Sequence, residues 1–192
     1  MAWIAVVFLV LVLVAIAIVV QAIAIYNGLV QVKHQVDQAW ANIDVLLKQR
    51  HDELPKLVDA VKGYMTHERG LLEDITALRV KAQATGSADE RVAAEEALSQ
   101  GVSKLLLVAE NYPTLRASEV FVDLQRRISA LEEQIAHRRE FYNAAVNINN
   151  VRLEEFPDLL LTGIAGLTHK PLFEAHGDDR ADFDIGRAFA TR

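Results

Sequence analysis

Residues Ala5 to Arg50 read AVVFLVLVLVAIAIVVQAIAIYNGLVQVKHQVDQAWANIDVLLKQR, and this stretch decides the fold. Its first half is apolar on every side; its second half is apolar on one side only. No proline interrupts it, and its single glycine, Gly28, lies just beyond the apolar half. From Ala2 to Ile25 there is no charge and one polar side chain, Gln21. A helix of that length spans about 36 Å, against roughly 30 Å of bilayer hydrocarbon. Trp3 and Tyr26 bracket it, as aromatic side chains do at the two membrane–water boundaries. A cleaved signal peptide would have a basic start and a shorter apolar core. Here no Lys or Arg precedes the run, so residues 2–25 read as a retained transmembrane helix. Ala5, Ala15, Ala17, Ala22 and Ala24 would let a second helix approach closely.

The rest of the chain is soluble and acidic. The net charge of −6 falls entirely after Ile25. An acidic bundle with interspersed charges is a poor match to nucleic acid, which calls for clustered Lys and Arg. The absence of cysteine excludes a disulfide scaffold, thiolate catalysis and Cys-based zinc sites. Lys33, Lys48 and Arg50 follow the apolar run, which places the soluble part in the cytoplasm by the positive-inside rule.

Beyond Leu29 the apolar residues recur at intervals of three and four: Leu29, Val32, Val36, Trp40, Ile43, Leu47, then Leu54, Leu57, Val61, Tyr64, then Leu71, Ile75, Leu78. That is a helical stripe. The phase survives Pro55, which allows a single kinked helix. Asp52 is a good N-cap, however, and proline is tolerated in a first turn, so a chain reversal is predicted near residues 50–53. Residues 84–89 are turn-formers without a stripe. A third helix is predicted from Asp89 to Asn111, ended by Pro113. A fourth is capped by Ser118, carries Val120 or Phe121, Leu124, Ile128, Leu131, Ile135, Arg138 and Tyr142 on its stripe, and ends by Pro157. The predicted fold is all-α. An N-terminal transmembrane helix continues into the first helix of an antiparallel up-and-down four-helix bundle over residues 26–157.

Four long motifs resemble the LemA family: YNGLV at 26–30, VDQAWANIDVLLKQRHDELPKLVDAVKGYMTHE at 36–68, ENYPTLRASEVFVDLQRRISALEEQIAHRREFYNAAV at 110–146, and FPDLLLTGIAGLTHKPLFEA at 156–175. The resemblance implies a bacterial membrane protein with an N-terminal span and a four-helix bundle. It brings no catalytic residue. Its members are often encoded near membrane metalloproteases or other envelope proteins. The chain departs from the family pattern at Ile148-Asn149, where Tyr-Asn is favoured, and at Ala165-Gly166-Leu167, where aromatics are usual.

Folding back and forth four times would bring the 84–89 turn and the end of the fourth helix close to the bilayer. The next segment, residues 158–174, is apolar but too short to span. Leu159, Leu160, Leu161, Ile164 and Leu167 are placed to join Tyr26 at the membrane interface opposite that of Trp3, to touch a neighbouring copy, or to close the bundle base. The same folding brings Asn27 level with Asn143, Asn147, Asn149 and Asn150. Asparagine is a poor helix former, so these are candidates for a hydrogen-bonded polar layer. Residues 175–192 read as a mobile tail.

No chemistry-bearing motif stands out. A di-iron bundle needs paired Glu-x-x-His motifs, and Glu133 with His137 has the wrong spacing and no second pair. His34, His51, His67, His169 and His176 are scattered. No zincin, serine elbow, phosphate loop, calcium loop or dinucleotide fingerprint occurs. The expectation is therefore a non-enzymatic protein without metal or cofactor. It would be a membrane-anchored scaffold at the bacterial inner membrane that self-associates or docks partners. The competing reading is an adaptor or regulator of an envelope protease or stress-response complex. Expected partners are membrane lipid, further copies of the chain, and an envelope protein or membrane protease.

Overall fold

Helix α1 runs without a break from Ala2 to Lys62, 61 residues or about 92 Å. The computed structural model describes residues 1–84 and 86–173, and no strand occurs among them. The predicted tail beyond 174 lies outside the described residues. From Met1 to Gln21 every residue of α1 is exposed. Burial begins at Leu29 and continues through Val32, Val36, Ile43, Leu47, Leu54, Leu57 and Val61. One helix is thus apolar all round in one half and amphipathic in the other, and the change falls at Tyr26–Gly28.

The reversal expected at residues 50–53 does not occur. Pro55 lies inside α1, and Asp52 is a mid-helix residue rather than a cap. A proline within a helix withholds the N–H that would bond the carbonyl four residues back. Here that carbonyl belongs to His51, and Arg79 Nε, from the neighbouring helix, donates to it at 2.8 Å. The packed helix repairs the ladder, so the rod survives its proline. The chain turns instead at Gly63–Met65. The amides of Tyr64 and Met65 both bond the Val61 carbonyl at 2.9 Å, and Met65 is buried beneath the turn.

Helix α2 spans Arg69–Ala84 and α3 spans Ala88–Ala109. Ser87 caps α3 by accepting from the Glu90 amide. A single turn, α4 (Pro113–Arg116), leads to α5, Glu119–Glu154, which Ser118 caps through the Phe121 amide. Beyond a short turn at Asp158–Leu160 lies α6, Thr162–Ala165.

These lengths decide the shape. From Tyr26 outward α1 measures about 55 Å, and α5 returns along it for about 54 Å, but α2 is only about 24 Å long. Arg91, in the first turn of α3, pairs with Asp44 of α1, which lies about 28 Å along the helix beyond Ile25. The start of α3 therefore stands halfway down the rod and, contrary to expectation, the hairpin of α2 and α3 does not come close to the apolar half of α1. Four helices are present only in the outer half, around a core that includes Leu57, Ile75, Leu98, Leu105, Phe121 and Ile128. The inner half is the α1–α5 pair, and a strap of residues 166–173 takes the place of the missing helices. Tyr64, placed on the core stripe by its spacing, is instead 44% exposed at the outer turn.

Candidate functional site

Three features converge on the α1–α5 pair: a buried ionic layer, a clamped strap, and an apolar foot.

The ionic layer lies between the outer and inner cores. Arg50 falls in phase with Ile43, Leu47, Leu54 and Leu57, so the helix that buries those residues buries Arg50 too, at 0% exposure. Its Nη2 donates to the Glu95 carboxylate. Its Nη1 donates to Glu132 Oε1 at 2.8 Å and Oε2 at 3.1 Å, and also to Ser99 Oγ. His51 Nε2 lies 2.9 Å from the other Glu95 oxygen. Arg139 Nη2 donates to Ser99 Oγ at 3.1 Å, and the serine hydroxyl donates on to Glu132 at 2.9 Å. Two guanidiniums and two carboxylates thus balance across α1, α3 and α5. Burial pushes the Glu95 carboxyl up, but the His51 hydrogen bond and the Arg50 charge outweigh it and hold the group below its ordinary value. Burial, and next the charge of Arg50, lower Arg139.

Below this layer the strap is fixed by asparagines. Asn143 Nδ2 donates to the Phe173 carbonyl at 2.8 Å and its Oδ1 accepts from the Phe173 amide at 2.9 Å. One heptad on, Asn150 does the same for Lys170, at 2.9 and 3.1 Å. Asn149 donates to the Thr168 carbonyl at 2.9 Å. A primary amide matches the N–H and C=O of an extended residue as a neighbouring strand would, so α5 holds the strap by its backbone. Phe173 then enters the gap between α1 and α5. It stacks on Trp40 at 6.0 Å and meets Tyr142 edge-on at 5.6 Å, with the Arg139 guanidinium 4.7 Å from its ring centre. Burial, then the Asp89 charge, push the Tyr142 hydroxyl up to about 12. Asn27 and Asn147, expected in the same polar layer, are exposed and stand apart from this set.

The foot is the turn at Asp158–Leu160 together with α6. Ala165 and Leu167 pack on Leu29, joined by Ile25, Leu153 and Leu161. Leu167, expected at the membrane interface, therefore points into the protein at 7% exposure, and Leu161 is half-buried. Leu159, Leu160 and Ile164 are exposed, as are Trp3 and Tyr26. Gly166 has φ +69°, the left-handed region that favours glycine, and closes α6.

The asparagines were legible in the sequence because four within eight residues near one helix end, Asn143, Asn147, Asn149 and Asn150, are unusual. The ionic layer was not recognised. Its signal was polar residues in core phase: Arg50 on the α1 stripe, Glu95 between Val92 and Leu98, and Arg139 rather than Arg138 between Ile135 and Tyr142.

A long exposed apolar helix running into a strapped helix pair defines a membrane-associated, all-helical protein. The chain belongs to the LemA family, whose model matches residues 39–186. Among curated relatives it is similar to the magnetosome proteins MamQ 1 and MamQ 2 of Paramagnetospirillum magneticum, each 22% identical over 175 residues. Those alignments cover 78% of this chain and 64% of each relative, so the chain spans less than two thirds of their length. It is also similar to Protein LemA of Metamycoplasma hominis, 26% identical over 161 residues, covering 82% of this chain and 73% of the relative.

Proposed function

We propose that the protein is a single-pass scaffold of the bacterial inner membrane that works by binding rather than catalysis, and that copies associate through the outer face of α5. The observation that carries this reading is a second apolar row on α5. Phe141, Ala144, Ile148 and Val151 recur at intervals of three and four, and all four are exposed. His137 extends the row, its ring edge-on to Phe141 at 5.0 Å. At about 100° per residue this row lies on the side of α5 opposite the buried Ile135, Tyr142, Val146 and Asn149. A heptad-spaced row asks for another helix in the manner of a coiled-coil seam. It lies in the inner half, where the α2–α3 hairpin is absent and neighbouring anchored copies would stand side by side at equal height. Lys33, eight residues beyond the apolar half of α1, and Lys48 further out favour the bundle on the cytoplasmic side.

The test is the mass of the full-length protein in mild detergent. The wild type is expected to form oligomers, and Phe141→Lys with Ile148→Lys to yield monomers with unchanged helicity. A wild-type monomer at high concentration would overturn the reading.

A further inference from the structure

The segment from Phe156 to Ile164 exposes four large apolar side chains side by side: Phe156 at 74%, Leu159 at 49%, Leu160 at 66% and Ile164 at 72%. We propose that this foot is seated in the headgroup layer of the bilayer that α1 crosses, and that lipid covers its exposed face.

Its attachments set its height. Leu29 of α1 carries Ala165 and Leu167. Arg152 reaches across from α5 to within 3.3 Å of where a Gly28 side chain would begin, and it pairs with Asp158 at 2.8 Å. The Lys33 amine comes equally close to Gly166. The foot is therefore held against the two turns of α1 that follow Ile25. The uncharged part of α1 is about 36 Å long against about 30 Å of hydrocarbon, so its last turn is already at the boundary. At about 5.4 Å per turn, the turn after Ile25, which carries Leu29, lies in the polar layer of roughly 5–8 Å on that side, and the second turn reaches its outer edge. Anything covering the foot must sit at that depth, and lipid is the molecule that fills it. The segment is too short to span, and its polar side chains Asp158 and Thr162 turn inward while Leu159, Leu160 and Ile164 turn out, as in a helix lying in the interface.

A single span leaves the bundle free to tilt and to rotate about the anchor. A second lipid contact beside it removes both freedoms. The outer row of α5 is then presented at a constant bearing along the membrane.

This inference rests on α1 crossing the bilayer, and the experiment separates the two. The chain has no cysteine, so single Cys variants accept one nitroxide each. The full-length protein is placed in phosphatidylcholine vesicles with the label at Leu160→Cys or Ile164→Cys. Leu13→Cys serves as the reference inside the apolar half, and Val45→Cys as the exposed reference on the bundle. Collision rates with oxygen and with a water-soluble nickel chelate are compared. Both foot labels are expected to favour oxygen several-fold more than Val45, and less than Leu13. A ratio equal to that of Val45 overturns the foot. So does shielding from both colliders, which means that protein covers it. If Leu13 reads as water, the span itself fails. Two label positions keep the test decisive if one of them disturbs the fold.

Discussion

Replacing Glu95 by Gln removes one charge from the ionic layer and keeps the side-chain shape. The guanidiniums of Arg50 and Arg139 then share the single carboxylate of Glu132. Arg50 is fully buried and cannot turn to water. Breaking one side of a buried pair costs about 3–5 kcal/mol, where an exposed pair is worth roughly 0–1 kcal/mol. The lower end applies here, because Glu132 still accepts from Arg50 Nη1 with both oxygens and glutamine keeps one acceptor for Nη2. A loss of about 3 kcal/mol, at roughly 2–4 °C for each kcal/mol, lowers Tm by about 6–12 °C. Far-UV circular dichroism of the detergent-solubilised protein at neutral pH reads this directly. The double variant Arg50→Met with Glu95→Leu should recover most of the loss, because an apolar pair leaves no buried charge unmatched. Glu95→Gln also tests the pH dependence. A carboxyl held below its ordinary value of 4.5 contributes stability that is complete above that value and is lost as pH falls through the folded value. Wild-type Tm should therefore fall more steeply than that of Glu95→Gln once the pH drops below 4.5. A Glu95→Gln melt within about 2 °C of wild type, under 1 kcal/mol on the same scale, would refute the buried latch.

Two further outcomes follow from the same contacts. Arg79→Met should cost about 1–2 kcal/mol in the wild-type chain, as for a hydrogen bond from a charged donor in a half-buried setting. It should cost little in a Pro55→Ala background, where the restored amide bonds the His51 carbonyl itself. A double-mutant cycle by thermal melting measures the coupling, and equal Arg79 effects in both backgrounds would show that the guanidinium does not repair the helix. Asn143→Ala removes both hydrogen bonds that hold Phe173. It should free the strap at a cost of about 1–3 kcal/mol and shift Trp40 fluorescence to the red in a Trp3→Phe background; an unshifted spectrum would mean that Phe173 stays without its clamp.

Read alone, the sequence determined the long apolar run, the helical class and the amphipathic helix that continues the run. These rest on properties that neighbours in the chain carry between them: an uncharged run of lipid length, and apolar residues in phase every three or four positions. The asparagine cluster was legible for the same reason, as a local excess of a residue that helices disfavour. What the sequence could not determine was how far each helix runs and what crosses between helices. Pro55 beside Asp52 is a good local signal for a turn, and only Arg79, 28 residues beyond His51, cancels it by supplying the missing donor. Arg50, Glu95, Glu132 and Arg139 lie on three different helices and become one layer only where those helices meet, since burying a charge depends on its partner's position in space. The foot was decided in the same way. A short apolar segment can turn to lipid, to a neighbour or to its own core, and the choice that buried Leu167 while exposing Leu160 and Ile164 was made by the Leu29 surface of α1.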